Sequence, residues 1–181
     1  MIIALTGTPG TGKTSVSKLL IDKDFEIINL NKLACRKEFI VGLDKLRNSK
    51  IVDINKLNIH IFKKYSNKNI IIEGHLSHLL NCAEKIIVLR CHPDKLRKNL
   101  IKKGWKERKI KENVEAEILD IILCEAVDKH SEKNVFEIDV TNISIEFLAS
   151  LIIEIINKKF NNIKKYKIGK IDWSNEILKN F

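Results

Sequence analysis

Short, continuously apolar runs alternate along the chain with longer stretches in which apolar residues recur at helical spacing. The runs that predict β-strands are residues 2–5, 25–28, 69–73, 85–90 and 135–138. Because these runs are apolar throughout rather than at every second position, they are typical of strands covered on both faces, as in a parallel sheet. With helical patterns between the runs, the order of elements predicts an α/β fold, with a five-stranded parallel sheet flanked by helices.

The signals for the intervening segments vary in clarity. Asp53 is typical of an N-cap, and Pro93 fits the first turn of a helix. The helix after Asp53 is expected to turn four apolar side chains inward: Ile54, Leu57, Ile61 and Phe62. Residues 29–39 and 114–127 also predict helices, whereas residues 42–50 are polar, carry mixed charge and have no periodicity, so they predict a loop.

Composition narrows the class of protein. The 181 residues are 44 % hydrophobic and 31 % charged, which is enough apolar material for one domain with its own core. No apolar run approaches the roughly 20 residues that span a bilayer. The four cysteines are scattered without a C-x-x-C pair, which argues against a zinc site or a disulfide framework. These features predict a soluble, cytoplasmic protein without a membrane partner.

One motif carries a strong chemical signal. Residues 7–14 read Gly-Thr-Pro-Gly-Thr-Gly-Lys-Thr and match the P-loop pattern G-x-x-x-x-G-K-[ST] in full, between a predicted strand and a predicted helix. Backbone N–H groups of such a loop converge on phosphate oxygens, and the following helix adds its positive end. Lys13 would then bridge the β- and γ-phosphates of a nucleotide, and the Thr14 hydroxyl would bind Mg²⁺ directly.

Two further residues follow the third predicted strand. Glu73 ends that strand, and a carboxylate at the carboxyl end of a parallel strand points into the crevice where nucleotide phosphates lie. It could hold Mg²⁺ through water or orient the nucleophile; the alternative is a solvated strand-end glutamate. His75 could position a water or a phosphate, or it could only cap the next turn.

A basic, glycine-broken segment at residues 102–109 is typical of a small lid. A lid closes over the nucleotide, brings cations to the transferring phosphoryl group and excludes water. Arg97 lies on the helix leading into it, and Lys103, Arg108 and Lys109 lie within it. The alternative is an ordinary solvated connection between two helices, which could carry the same charge.

Two arginines compete for the phosphate of an acceptor nucleotide. Arg36 follows the second predicted strand, and Arg47 lies in the polar stretch after it. The planar guanidinium of arginine binds phosphate through two parallel hydrogen bonds, so each position is a candidate. Either could also be an ordinary surface residue.

These motifs together resemble the adenylate kinase isoenzyme 6 family. The resemblance rests on the P-loop at residues 7–14, on Glu73-Gly74-His75 and on the segment from Lys103-Gly104-Trp105 to Asn113. It implies a P-loop NTPase-type fold with short NMP-binding and lid segments, and Mg²⁺·ATP-dependent phosphorylation of AMP with an accompanying ATPase activity. It also implies a role in maturation of the small ribosomal subunit, with a platform ribosomal protein as partner.

The resemblance assigns roles to individual positions. The residues that would contact ATP in the P-loop are Gly10, Gly12, Lys13, Thr14 and Ser15. In the lid, Lys103 falls where the family commonly has an arginine, and Arg108 would add a second cation. Glu73 stands where the family commonly has aspartate, and His75 matches the family histidine.

The chain is thus expected to consist of a kinase domain at residues 1–160, with an acceptor-binding part at about 29–51 and a lid at about 102–112, followed by a basic tail at 161–181. Lys and Arg exceed Asp and Glu by 33 to 23, giving a net charge of +10, and about half of this surplus follows Asn157. This charge suggests contact with rRNA, although lysine richness can also reflect adaptation to heat.

Two other functions remain open beside the adenylate kinase hypothesis. The protein could be a ribosome-assembly factor that is switched by ATP and phosphorylates AMP only incidentally. It could also be a P-loop kinase for another small acceptor. The P-loop is compatible with all three.

Overall fold

A five-stranded parallel sheet forms the centre of the protein. The computed structural model describes residues 1–20, 25–45 and 49–177. Within these ranges the sheet comprises β1 (Ile2–Gly7), β2 (Glu26–Asn29), β5 (Ile70–Glu73), β6 (Lys85–Arg90) and β7 (Val135–Asp139). The strand order is β2-β5-β1-β6-β7, and every neighbouring pair is parallel. The predicted α/β architecture is therefore confirmed.

Helices connect the strands and cover the sheet. In the described part of the chain they are α1 (Lys13–Leu19), α2 (Leu30–Ala34), α3 (Ile54–Tyr65), α4 (Pro93–Lys102), α5 (Glu107–Ile118), α6 (Ile121–Lys129) and α7 (Ile145–Asn157). Pro93 occupies the first turn of α4, as its conformational restriction predicts. None of the helices in these ranges is both long enough and apolar enough to cross a bilayer.

The two faces of the sheet bury separate apolar clusters. Along β1, Ile2 and Ala4 pack with α3 and α6, whereas Ile3 and Leu5 pack with α1 and α7. Successive side chains of a strand point to opposite faces, so a strand covered on both sides must be apolar at every position. This explains the continuous apolar runs in the sequence.

The predicted loop at residues 42–50 is wrong in part. Strands β3 (Ile40–Asp44) and β4 (Ser49–Val52) form an antiparallel hairpin that is separate from the main sheet. The exposed side chains of β3 alternate with half-buried ones, but the exposed positions are Val41 and Leu43. Apolar residues therefore face solvent here, and the usual strand pattern of apolar-in and polar-out is absent.

Two predicted helices are shorter than expected. The segment 29–39 holds only α2 and a 3₁₀ turn at Lys37–Phe39. The pattern at 114–127 spans two helices, because Asp120 adopts a left-handed conformation (φ 55°) between α5 and α6. Aspartate is one of the residue types that tolerate this conformation at limited cost, so the sequence has no glycine or proline to mark the break.

The predicted N-cap of α3 is confirmed. The Asp53 side chain accepts a hydrogen bond of 2.9 Å from the backbone N–H of Lys56. Leu57 and Ile61 are buried as expected, but Phe62 is 57 % exposed. The apolar face of α3 is thus narrower than its sequence indicates.

The carboxy-terminal segment packs against β7. The side chain of Ile163 is buried, and Lys167 forms an isolated antiparallel bridge with Phe136. The backbone N–H groups of Lys170 and Ile171 donate to the Glu137 carboxylate at 2.7 and 3.1 Å. The described part of the predicted tail, up to residue 177, therefore packs on the edge of the central sheet.

Candidate functional site

The carboxyl ends of β1, β2 and β5 meet at one edge of the sheet and border a cavity of about 180 Å³. The residues that line it are Pro9, Gly10, Gly12, Lys13, Thr14, Ser15, Asn31, Glu73, His75, Lys103 and Trp105. The cavity thus brings together the P-loop, the end of β5 and the predicted lid. Ligands of open α/β sheets bind in this position, outside the carboxyl ends of the strands.

The glycines of the P-loop adopt conformations that other residues rarely reach. Gly10 and Gly12 have φ angles of +102° and +93°. A Cβ atom on Gly7 would lie 2.4 Å from the backbone oxygen of Leu89, on the neighbouring strand. The sharp turn of the loop from β1 into α1 therefore requires glycine at these positions.

Lys13 begins α1, and its side chain is only 7 % exposed. Its ammonium group donates to the backbone oxygens of Gly7 at 2.6 Å and Thr8 at 3.0 Å. Burial lowers the pKa of Lys13 from 10.5 to about 8, and the carboxylate of Glu73 partly opposes this shift. Lys13 is thus a partly desolvated cation, which interacts more strongly with phosphate than a hydrated one does.

Glu73 is held by two neighbours. Its buried carboxylate accepts hydrogen bonds from the Thr14 hydroxyl at 3.2 and 3.4 Å and from the amide of Asn29. The Asn29 side chain is itself fixed, since its oxygen accepts from the backbone N–H of Lys32 at 2.7 Å. A hydroxyl and a carboxylate oxygen thus lie side by side beside the P-loop.

Asn29 was not identified from the sequence as a site residue. In the structure Asn29 is the last residue of β2, and it pairs in register with Glu73 on the adjacent strand β5. The available sequence signal was a polar residue directly after a predicted strand. Its contact with Glu73 could be found only by knowing that β2 and β5 are neighbours. Strand order is not visible in the local pattern.

His75 lies in the wall of the cavity, two residues after β5. Burial lowers its pKa to about 4, and the positive charge of Lys13 adds to the effect. The imidazole is therefore neutral near pH 7. It can donate or accept a hydrogen bond within the cavity, but it adds no charge there.

The predicted lid corresponds to a short connection between α4 and α5. Lys103 and Trp105 from this connection line the cavity, and Gly104 between them has a φ of +71°. The ammonium group of Lys109 lies 5.1 Å from the centroid of the Trp105 ring. The structure therefore places Lys103 beside the P-loop. Trp105, which the sequence named only as part of the lid motif, also lines the cavity, as does Asn31, which the sequence did not single out.

Two other predicted lid cations lie away from the cavity lining. Arg108 is exposed and pairs with Glu112 one turn later on α5, at 3.2 Å. Arg97 pairs with Glu107 at 2.8 Å, which connects α4 to the start of α5. In this arrangement both guanidinium groups face carboxylates of the lid helices.

One candidate acceptor arginine, Arg36, is also absent from the cavity lining. Arg36 is exposed just before the 3₁₀ turn at Lys37–Phe39. Arg47 lies outside the described residues. Arg36 follows α2, the helix that carries the lining residue Asn31, and its acceptor role stays a prediction.

Comparison with known proteins identifies the family. Residues 3–120 match the model of a family described as "AAA domain". A protein of Thermococcus gammatolerans named "Putative adenylate kinase" is 40 % identical over 176 residues, covering 96 % of this chain and 93 % of the relative. Proteins with the same name from Methanocaldococcus jannaschii and Archaeoglobus fulgidus are 40 % and 41 % identical, with coverage of 98 % of this chain and 96 % and 94 % of each relative.

A solved structure supports the fold independently. The crystal structure of an uncharacterized protein from Eubacterium ventriosum superposes with a TM-score of 0.53 at 14 % identity, covering 87 % of this chain and 98 % of that one. At this level of identity the likeness concerns the fold alone. The family itself rests on the relatives and on the matching family model, which confirm the resemblance noted in the sequence: the chain belongs to the adenylate kinase isoenzyme 6 family of P-loop nucleotide kinases.

Proposed function

We propose that this kinase transfers the γ-phosphoryl group of Mg²⁺·ATP to AMP. The observation that carries the proposal is that the P-loop, the Thr14–Glu73 pair and Lys103 all border one cavity. Phosphoryl transfer depends mainly on positioning and on neutralising charge, and this cavity offers both. The names of the relatives favour AMP as the acceptor.

Within this proposal the P-loop binds the ATP phosphates. Backbone N–H groups around Gly10, Gly12 and Ser15 would contact phosphate oxygens, and Lys13 would neutralise the β- and γ-phosphates. The Lys13 ammonium group donates to the Gly7 and Thr8 carbonyls, so it would exchange these contacts for phosphate oxygens when ATP binds. Lys103 would add positive charge from the lid, and Arg108 would need to leave Glu112 to do the same.

The residues beside the P-loop fit a magnesium ion. Mg²⁺ prefers oxygen ligands and retains several waters, and the Thr14 hydroxyl and Glu73 carboxylate are oxygen donors placed side by side. Thr14 would bind the ion directly and Glu73 through water. When bound, the ion offsets negative charge on the phosphates. Asn29 and the buried position of Glu73 would keep this carboxylate oriented.

The acceptor would approach from the α2 side of the cavity, where Asn31 lies. Neutral His75 would orient the acceptor phosphate or an attacking water by a hydrogen bond, and Arg36 is our proposed acceptor-binding residue. If water takes the place of AMP, the same site yields ATPase activity.

The proposal is tested by measuring ADP formation from ATP with and without AMP. We expect AMP to stimulate turnover in the wild type, and Lys13→Ala to reduce it by about 100-fold or more, since it removes the buried cation of the P-loop. Lys18→Ala is the matched control, because Lys18 is an exposed lysine of the same helix. AMP-independent turnover equal to the AMP-stimulated rate would contradict the proposed kinase activity.

The same assay addresses the acceptor class. CMP, UMP, dAMP and shikimate replace AMP in parallel reactions, and a clearly faster reaction with one of them would reassign the acceptor. The role in ribosome maturation and its protein and rRNA partners remain predictions from the family resemblance.

A further inference from the structure

A buried carboxylate behind the cavity connects the lid helix to the P-loop. Glu117 lies on α5, the helix that follows the lid, and it is only 3 % exposed. One of its oxygens accepts a hydrogen bond of 2.5 Å from the Thr8 hydroxyl. The other accepts from the Arg90 Nε at 2.9 Å and from the backbone N–H of Cys91 at 3.0 Å. Glu117 therefore joins α5, the P-loop and the end of β6.

The contact with Thr8 leads directly to the phosphate-binding lysine. The Thr8 backbone oxygen accepts from the Lys13 ammonium group at 3.0 Å and from the Thr11 hydroxyl at 2.9 Å. Thr8 is itself buried, it is not a lining residue of the cavity, and its hydroxyl bonds to Glu117. The Glu117 carboxylate thus reaches Lys13 through a single residue, and its negative charge also opposes the lowering of the Lys13 pKa.

We propose that Glu117 is a positioning residue for ATP: by holding Thr8, it fixes the part of the P-loop that orients Lys13. This inference rests on the proposed binding of ATP phosphates at the P-loop. Because Glu117 belongs to α5, it also ties the position of the lid helix to the conformation of the phosphate-binding loop.

A purely structural role for Glu117 is the alternative, and the structure offers a matched comparison. Glu137 is also buried and also pairs with Arg90, at 3.3 Å from its Nη1. Its other oxygen accepts from the backbone of the carboxy-terminal segment rather than from the P-loop. Both carboxylates therefore compensate the charge of Arg90, but only Glu117 contacts Thr8.

The experiment compares four variants with the wild type: Thr8→Val, Thr8→Ser, Glu117→Gln and Glu137→Gln. Binding of Mg²⁺·ATP is measured by titration calorimetry, and stability by thermal unfolding. We expect Thr8→Val and Glu117→Gln to raise the dissociation constant of ATP about tenfold. Thr8→Val removes the donating hydroxyl, and the single amide oxygen of Glu117→Gln cannot accept both from Thr8 and from Arg90 and Cys91. Thr8→Ser keeps the hydroxyl and is expected to stay within about twofold of the wild type.

Glu137→Gln separates positioning from stability. We expect it to lower the unfolding temperature about as much as Glu117→Gln and to leave ATP binding within about twofold of the wild type. Equal weakening of ATP binding in both variants would overturn the proposal, as would wild-type affinity in Thr8→Val. If Glu117→Gln fails to fold, the comparison of ATP binding between Thr8→Val and Thr8→Ser still tests the proposal.

These readouts distinguish the positioning role from the proposed function. They measure ATP binding without AMP, so a wild type that binds ATP but shows no AMP-stimulated turnover would contradict the kinase proposal alone. A wild type that binds no ATP would contradict both.

Discussion

Replacement of Arg90 by methionine tests the energetics of the buried ion network. Arg90 is 2 % exposed and pairs with Glu117 and Glu137, which are both buried, and with the partly exposed Asp120. Removing one partner of a buried ion pair costs about 3–5 kcal/mol, because the remaining charges stay buried without compensation.

The contacts that remain indicate that the stability lost in Arg90→Met lies near the lower end of that range. Glu117 retains the Thr8 hydroxyl and the Cys91 N–H, and Glu137 retains two backbone N–H groups of the carboxy-terminal segment. We therefore expect the free energy of unfolding to fall by about 3 kcal/mol near neutral pH. For a domain of this size that loss lowers the unfolding temperature by roughly 6–12 °C.

The pH dependence provides a sharper test of the same reasoning. Burial already raises the pKa of the Asp120 carboxyl, and the loss of Arg90 removes the positive charge that opposes this shift. The folded variant then binds more protons than its unfolded chain as the pH falls, so its deficit relative to the wild type should shrink in acid.

Urea unfolding followed by circular dichroism measures both effects. The matched control is Arg108→Met, since Arg108 is exposed and pairs with Glu112 on the surface of α5. We expect the control to change the free energy of unfolding by less than about 1 kcal/mol. An Arg90→Met protein as stable as the control, or a deficit that does not shrink in acid, would refute the assignment of a stabilising charge network.

Three further predictions concern the P-loop, the lid and a buried histidine. Gly7→Ala places a Cβ atom 2.4 Å from the Leu89 oxygen, so we expect loss of ATP binding and a large drop in unfolding temperature. Calorimetry that shows wild-type ATP affinity and wild-type unfolding temperature would contradict this. Lys103→Ala should raise the KM for ATP more than Arg108→Ala, because only Lys103 lines the cavity; equal effects in steady-state kinetics would contradict this. Burial lowers the pKa of His78 in the folded protein, whereas the unfolded chain takes up a proton near about pH 6.5. The free energy of unfolding should therefore fall below that pH. Urea titrations should show a smaller fall in His78→Gln.

The strands and the P-loop could be predicted from sequence because each depends on local chemistry. A strand buried on both faces must be apolar at each position, and a phosphate-binding turn must have glycine where φ is positive. The same holds for Asp53, whose capping bond reaches only three residues ahead. Such signals are contained within a few neighbouring residues.

The partners of the site residues could not be predicted in this way, because they come from distant segments. Asn29 meets Glu73 only because β2 and β5 are adjacent in the sheet, and Glu117 lies 109 positions from Thr8. Arg108 shows the converse problem: its charge suggested a ligand contact, whereas a carboxylate one helical turn away accepts its hydrogen bond. Residue type indicates what a side chain can bind, and the fold decides what lies within reach.

The carboxy-terminal segment has a consequence for solubility. β7 is an edge strand of the sheet, and edge strands expose unpaired N–H and C=O groups that can recruit a second chain. Lys167 pairs with Phe136 on this edge, and the lysines around it are exposed. The segment therefore shields the open side of β7 with charge, and a chain cut after residue 160 should become prone to aggregation through this strand.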